Sequence, residues 1–332
     1  MHDEMRVARL HGAEDLRLSG EPAPEPGAGE SVVRVEAVGI CGSDLHWYED
    51  GAIGDTGMPS PLVIGHEFAG VVEDGPLAGR RVAVDPAIPC ERCDLCREGH
   101  PNLCPNVVFA GHGACDGGLR ERLAWPTHRL HPLPDDLDGV TGAMLEPLGV
   151  AIHAVDLGHV AVAARVAVIG CGPIGLLIGQ VAAAAGATVA LAVDPLEHRR
   201  EAAARAGAET VLAPDALDGW DGPEVDVAFE AAGTDLAVDL ALQAARPGAR
   251  IVLAGIPSGD RTSFSASVAR RKGLTLVLVR RMKEVYPRAV RLARSGAIDL
   301  ESLVTHRFPL ERVAEAFEHA SAREGLKVVV EP

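Results

Sequence analysis

The run Cys90-Glu-Arg-Cys93-Asp-Leu-Cys96, closed by Cys104, constrains this chain more than any other segment. Four thiols spaced C-x2-C-x2-C-x7-C converge on one point when the backbone turns tightly, and a soft divalent cation such as zinc relieves the repulsion between their thiolates. Four sulfur donors leave no open coordination position, so the site they imply is structural. A disulfide knot and four unrelated buried cysteines are the alternatives. The opening Met1-His-Asp-Glu4 carries acids where a secretory leader carries cations ahead of an apolar run. A cytoplasmic, reducing setting is therefore expected, in which all seven cysteines stand as thiols.

A length of 332 residues suits two domains rather than one core, and a hydrophobic content of 47% supports a large interior. The formal net charge of −16 argues against nucleic acid or an anionic membrane surface as a partner. Val166 to Val193 contains no charged side chain and exceeds the roughly 20 residues that cross a bilayer. Gly170, Gly172, Pro173, Gly175, Gly179 and Gly186 interrupt it, and its ends read as short strands buried on both faces. Strand, helix, strand is the better parse, so no membrane partner is expected.

The texture of the chain changes along its length. Residues 1 to about 150 hold short β-type runs such as Ser31-Val-Val-Arg-Val-Glu-Ala-Val38, separated by turn clusters such as Pro22-Ala-Pro-Glu-Pro-Gly27. From Arg165 strands alternate with alanine-rich helices: Val166 to Ile169, a helix to Ala185, Val189 to Val193, a helix through Glu197 to Ala206, then Val225 to Phe229 and Arg250 to Ala254. That is a doubly wound α/β pattern with a parallel sheet. Helices at Pro287 to Arg294 and Glu311 to His319 precede a closing strand at Lys327 to Val330.

Gly170-Cys-Gly172-Pro173-Ile174-Gly175 lies between a predicted strand and a predicted helix. In that context the first glycine permits the tight turn, the second lets the backbone approach a pyrophosphate, and the third packs helix on strand. Asp194 ends the next strand, 19 residues beyond Gly175. A carboxylate there accepts hydrogen bonds from ribose hydroxyls and repels a 2′-phosphate, so the expected cofactor is NAD. Asp194 could instead start a helix. Arg199 and Arg200 read as a solvated helix face rather than a phosphate clamp, although Arg199 stays among the candidate cofactor-binding positions.

A second set of potential metal ligands comprises Cys41, His66, Glu67 and Glu146. Three protein groups hold a catalytic zinc while a fourth position stays open for water or substrate, and sulfur, imidazole and carboxylate all serve. Alone, His66 would read as a packed or surface histidine.

Three strings carry a resemblance: Cys41-Gly-Ser-Asp-Leu-His46 with Trp47-Tyr48 and Gly51-Ala-Ile-Gly54; Leu145-Glu146-Pro-Leu-Gly-Val-Ala-Ile-His153; and Val304-Thr-His-Arg-Phe-Pro-Leu310. Through them the chain resembles, over essentially its whole length, the zinc-dependent medium-chain alcohol dehydrogenases, in particular their sorbitol (polyol) dehydrogenase-like branch. The resemblance implies a GroES-like (chaperonin-10-like) β-rich catalytic domain from residues 1–149 and 281–332, and a Rossmann NAD-binding domain at 150–280. It implies that Cys41 and His66 are zinc ligands, that Glu67 is a direct or nearby third ligand, and that Glu146 is a ligand or holds the metal's water. Each subunit would carry two zinc ions, one catalytic and one structural.

The expected reaction is reversible oxidation of a secondary alcohol on a polyol, sugar acid or cyclitol. Zinc lowers the pKa of the substrate hydroxyl, and hydride passes to the nicotinamide. Ser43 and His46 could relay the released proton, or Ser43 could cap a helix starting at Asp44 and His46 line the pocket. Arg281 could orient substrate hydroxyls or face solvent. Trp47-Tyr48 and Met282 depart from the branch's usual residues at positions expected to border the substrate, which argues against sorbitol itself. An amino-alcohol or aminocyclitol dehydrogenase is a competing reading, and a catalytically silent nucleotide-binding protein is one of another class. A homodimer or homotetramer is implied.

Overall fold

The computed structural model describes residues 4–58, 61–219 and 222–332; the first three residues of the acidic opening lie outside them. The chain divides into two compact units, one of Met1–Glu146, Tyr286–Arg294 and Leu300–Pro332, the other of Pro147–Val285 and Ser295–Asp299.

The first unit is built on a seven-stranded sheet. Its path runs Leu130–Pro132, Arg81–Val84, Glu67–Val72, Glu30–Gly39, Lys327–Glu331, Val304–Pro309, with Arg122–Pro126 also paired to Glu30–Gly39. The Glu30–Gly39 strand is the hub because Val33, Val35 and Val38 are buried on a core that includes Phe68, Leu119 and Phe317. Its register pairs Gly39 with Glu67, and the chain's last strand pairs Val330 with Val38. Cys41, just beyond one strand, and His66, just before the other, therefore meet at one end of the sheet, beside Lys327 at the start of the third.

The aromatic pair expected at the substrate border is buried. Trp47 and Tyr48 lie on the helix Gly42–Asp50 but are 1% and 8% exposed, in the core. Trp47 faces His112 at 5.4 Å and Tyr48 faces Phe317 at 5.0 Å between ring centroids. The helix also begins two residues earlier than a Ser43 cap requires, with Cys41 as its N-cap.

The second unit holds a six-stranded, wholly parallel sheet in the order Val211–Leu212, Thr188–Val193, Arg165–Ile169, Val225–Glu230, Ala245–Leu253, Thr275–Leu278. Numbered along the chain this is 3-2-1-4-5-6, the doubly wound order, with its switch point between Arg165–Ile169 and Val225–Glu230. The strands Val211–Leu212 and Thr275–Leu278 went unread in the sequence, one because it has two residues and the other because it is a short edge strand. The stretch Gly139–Gly158 is long and apolar enough to cross a membrane, yet 78% of it is buried within the fold, as in a core helix.

One half-buried histidine gives the first unit an acid limb. His131 stacks on Tyr286 with ring centroids 4.2 Å apart and planes 9° from parallel, while Tyr286 Oη donates to the Val84 carbonyl at 2.7 Å. Burial, reinforced by Arg129, pushes His131 down to about 4. The unfolded chain, whose histidines titrate near 6.5, then binds more protons than the folded one between those values, so this contribution is whole above about pH 6.5 and lost as pH falls toward 4. His131→Phe keeps a ring on Tyr286 and removes the titration. Urea unfolding at pH 7.5 and 4.5 should show a loss of stability smaller by about 1–2 kcal/mol in the variant; an equal loss in both proteins would contradict this.

Candidate functional site

The four thiols of Cys90, Cys93, Cys96 and Cys104 lie with their sulfurs all within 4.8 Å of one another. All are free, with Cys93 Sγ 3.4 Å from Cys96 Sγ and 3.9 Å from Cys104 Sγ, far beyond a disulfide bond. Their ionisation is opposed: main-chain N–H groups of Arg92 and Cys93 pull Cys90 down to about 6, whereas desolvation and the neighbouring Cys93 and Cys104 push Cys96 up to about 12. Crowded thiols refuse to ionise together without a cation, and four sulfurs at this spacing fit tetrahedral zinc.

A second cluster joins Cys41, His66 and Glu67, whose donor atoms also lie within 4.8 Å of one another. Cys41 is half-buried, His66 7% exposed and Glu67 fully buried. Asp44, itself buried, organises the cluster. Its Oδ2 accepts the Cys41 N–H at 2.9 Å, its Oδ1 accepts the Gly65 N–H at 3.2 Å, and the same Oδ1 stands 3.3 Å from His66 Nδ1. That contact leaves Nε2 as the nitrogen able to bind a metal. Burial disfavours a charged His66, but Asp44 and Cys41 outweigh it and hold the imidazole well above its ordinary value.

Lys327 closes the cluster from the last strand. Its Nζ donates to Glu67 Oε2 at 2.6 Å, to Oε1 at 2.9 Å and to the Ile40 carbonyl at 3.0 Å, and its side chain is 3% exposed. Sequence reading gave no role to Lys327 or Asp44. The signal available for the first was a lone cation opening the otherwise apolar strand Lys327-Val-Val-Val330; for the second, a carboxylate three residues past a candidate ligand.

Glu146 stays outside the set of atoms within 4.8 Å. Burial pushes its carboxyl up to about 8, with His66 pulling against the shift and Glu67 adding to it. Ser43 and His46 are half-buried on the Gly42–Asp50 helix, and no hydrogen bond joins them among the described residues. His46 Nδ1 instead faces Asp50 Oδ2 at 3.4 Å. Arg281 is half-buried, with a left-handed backbone at φ 56°.

In the second unit Gly170, at φ 96°, turns the chain out of its strand, Gly172 caps the helix Pro173–Ala184, and Pro173 and Ile174 begin it. A Cβ on Gly175 would run into the Gly170 carbonyl. Asp194 is 3% exposed, its Oδ2 accepting the Cys171 N–H and its Oδ1 the Leu196 N–H, both at 2.8 Å. It is not the cap of the following helix, Glu197–Arg205, whose N-cap is Leu196. The solvated-face reading of the two arginines gives way: Arg199 Nη1 comes within 3.5 Å of where a Gly172 Cβ would stand, and Arg200 Nη1 donates to the carbonyls of Asp194 and Pro195 at 2.8 and 2.7 Å.

Comparison with known proteins agrees with both units. The family described as "Alcohol dehydrogenase GroES-like domain" matches residues 27–135, and "Zinc-binding dehydrogenase" matches residues 173–295. The sorbitol dehydrogenase of Macaca fascicularis is 36% identical over 97% of this chain and 94% of its own length. The crystal structure of L-idonate 5-dehydrogenase from Escherichia coli superposes with a TM-score of 0.93 at 27% identity, covering 100% of this chain and 99% of the other. A putative zinc-binding dehydrogenase from Sinorhizobium meliloti, bound to NADP, superposes with a TM-score of 0.90 at 31% identity, covering 99% and 100%. With a GroES-like unit, a Rossmann-like unit and residues that fit zinc and a nicotinamide cofactor, the chain belongs to the zinc-dependent medium-chain alcohol dehydrogenases and is similar to their sorbitol dehydrogenase branch.

Proposed function

We propose that this enzyme oxidises a secondary alcohol on a polyol, sugar acid or cyclitol to the ketone, with NAD as acceptor and two zinc ions per chain. One observation carries the substrate class: the Cys41, His66 and Glu67 cluster is ringed by further polar side chains, Asp44, Lys327 and Glu146, all buried. Such a lining suits a ligand with several hydroxyls better than a hydrocarbon. The relatives named for sorbitol and L-idonate act on compounds of that kind, which supports the reading.

When bound at the cluster, zinc supplies Lewis-acid polarisation of a substrate hydroxyl. Cys41 and His66 would hold it, with Asp44 fixing the imidazole. Glu67 would be the third donor, shared with Lys327, and Glu146 would accept from a substrate or water proton nearby. The four-thiol group would hold the second, structural zinc. Ser43 and His46 sit three residues apart on one helix, hence on one face, and would carry the released proton outward. Arg281 would orient a distal hydroxyl. Gly170, Gly172, Pro173, Ile174 and Gly175 would cradle the pyrophosphate, Asp194 would accept from the adenosine ribose, and Arg199 would lie along that half of the cofactor. The domain bounds 1–149 with 281–332, and 150–280, follow that division of labour. We place the protein in the cytoplasm, a reducing setting in which thiols persist, as a homodimer or homotetramer.

A panel of sorbitol, xylitol, idonate, an inositol, threonine and 2-butanol, scored by NADH formation, tests the substrate class. A hydroxylated substrate should exceed 2-butanol in kcat/KM, by a factor of up to about 10⁴–10⁵ where the site hydrogen-bonds the added hydroxyls. Preference for 2-butanol would refute the polar-pocket argument, and preference for threonine would favour an amino-alcohol. Cofactor choice gives a second test. The wild-type enzyme should prefer NAD, and Asp194→Ala should weaken NAD and narrow its advantage over NADP in kcat/KM. A wild-type preference for NADP would contradict the role given to Asp194.

A further inference from the structure

The switch point of the parallel sheet carries a carboxylate that the reading above leaves without a role. Glu230 ends the strand Val225–Glu230 and is 1% exposed. Its Oε1 accepts the N–H of Ala232 at 2.7 Å and of Gly233 at 2.6 Å, and its main-chain carbonyl accepts the N–H of Ala254 at 2.7 Å and of Gly255 at 3.1 Å. No cation pairs with it among the described residues. Burial pushes the carboxyl above its ordinary value, against the pull of the N–H groups of Gly233, Ala232, Gly255 and Thr234. A buried acid held only by main-chain donors is an expensive way to fix a turn, and a neutral turn residue would satisfy local geometry at less cost.

The turn it fixes is packed main chain against main chain. A Cβ on Gly170 would stand 2.8 Å from Ala232 N and 2.9 Å from Ala231 C. Gly233, at φ 72°, has no room for a Cβ beside the Ile256 carbonyl, and a Cβ on Gly255 would lie 2.7 Å from Glu230 Oε2. The turns leaving the C-terminal ends of three adjacent strands, Arg165–Ile169, Val225–Glu230 and Ala245–Leu253, are thus stacked on one another, and Glu230 bonds two of them. The carboxyl ends of the strands at the switch point are where doubly wound sheets take a dinucleotide, one mononucleotide to each half. Asp194 stands on the half that takes the adenosine. Glu230 stands on the other.

We propose that Glu230 is a positioning residue for the nicotinamide half of the cofactor, holding the 230–234 turn against the glycine loop so that the second mononucleotide meets a preformed surface. The proposal rests on the nucleotide reading given under the proposed function.

It is tested by equilibrium titration of the full chain with NADH, by fluorescence, and with AMP, by calorimetry, so that no turnover is needed. Glu230→Ala leaves the N–H groups of Ala232 and Gly233 unpaired and should raise the Kd for NADH about tenfold or more, while the Kd for AMP stays within about twofold. Glu230→Gln keeps an acceptor oxygen at both N–H groups and should restore NADH binding to within about threefold of wild type. Should the alanine variant fail to fold, Glu230→Asp, which keeps the charge but shortens its reach, should show the same split between the two ligands. Unchanged NADH affinity in a folded alanine or aspartate variant, or equal loss of NADH and AMP, would overturn the assignment. Wild-type protein that binds neither ligand would overturn the nucleotide reading, and this assignment with it.

Discussion

Around the ion pair of Glu67 and Lys327 the first unit is arranged. Both partners are all but excluded from solvent, and the contact is bidentate at 2.6 and 2.9 Å. Desolvating two charges costs several kcal/mol each, so such a pair adds little net stability, whereas removing one partner strands the other and costs about 3–5 kcal/mol. Its effect is to fix position. Lys327 opens the last strand of the chain, which pairs with Glu30–Gly39, and its third hydrogen bond goes to the carbonyl of Ile40, the residue before Cys41. One ammonium group thus ties the C-terminal strand to Glu67 and to the segment that presents the thiol. Gly39 belongs to the same constraint, because a Cβ there would run into Glu67 Oε2.

The pair also sets the character of the cluster. A carboxylate that already meets a lysine through both oxygens is a weaker donor than a free one, and this suits a metal position that must admit a substrate oxygen. Cys41 and His66 are held differently. Asp44 receives the N–H of Cys41 and of Gly65 and faces the imidazole, so one buried carboxylate orients both candidate ligands and the strand end between them. Among the described residues no carboxylate orients the four-thiol group in this way; its sulfurs surround one another, an arrangement that suits a closed site whose metal would contribute to folding.

Much of this was legible in the residues. The zinc-type cysteine spacing and the glycine loop between strand and helix are local motifs whose geometry follows from spacing alone. The parallel sheet could be read from alternating apolar strands and alanine-rich helices, except at Val211–Leu212 and Thr275–Leu278, where the runs are too short or too exposed to stand out. Cys41, His66, Glu67 and Glu146 read as one ligand set from their residue types and the resemblance, but the reason the first three meet, the register of Gly39 opposite Glu67, belongs to the folded sheet. Lys327 escaped because it acts through a tertiary contact far along the chain, 260 positions from Glu67. The burial of Trp47 could not be read either, because the resemblance that set it at the substrate border does not say which face of its helix the rest of the unit covers.

The central claim is that the chain holds two metal positions of different kinds, one of them built from Cys41, His66 and Glu67. Elemental analysis of zinc-loaded, desalted protein, wild type beside a Cys41→Ala, His66→Ala double variant, tests it most directly. Two zinc ions per chain in the wild type and one in the variant is the predicted result. A single zinc in the wild type, or two retained in a folded variant, would contradict it.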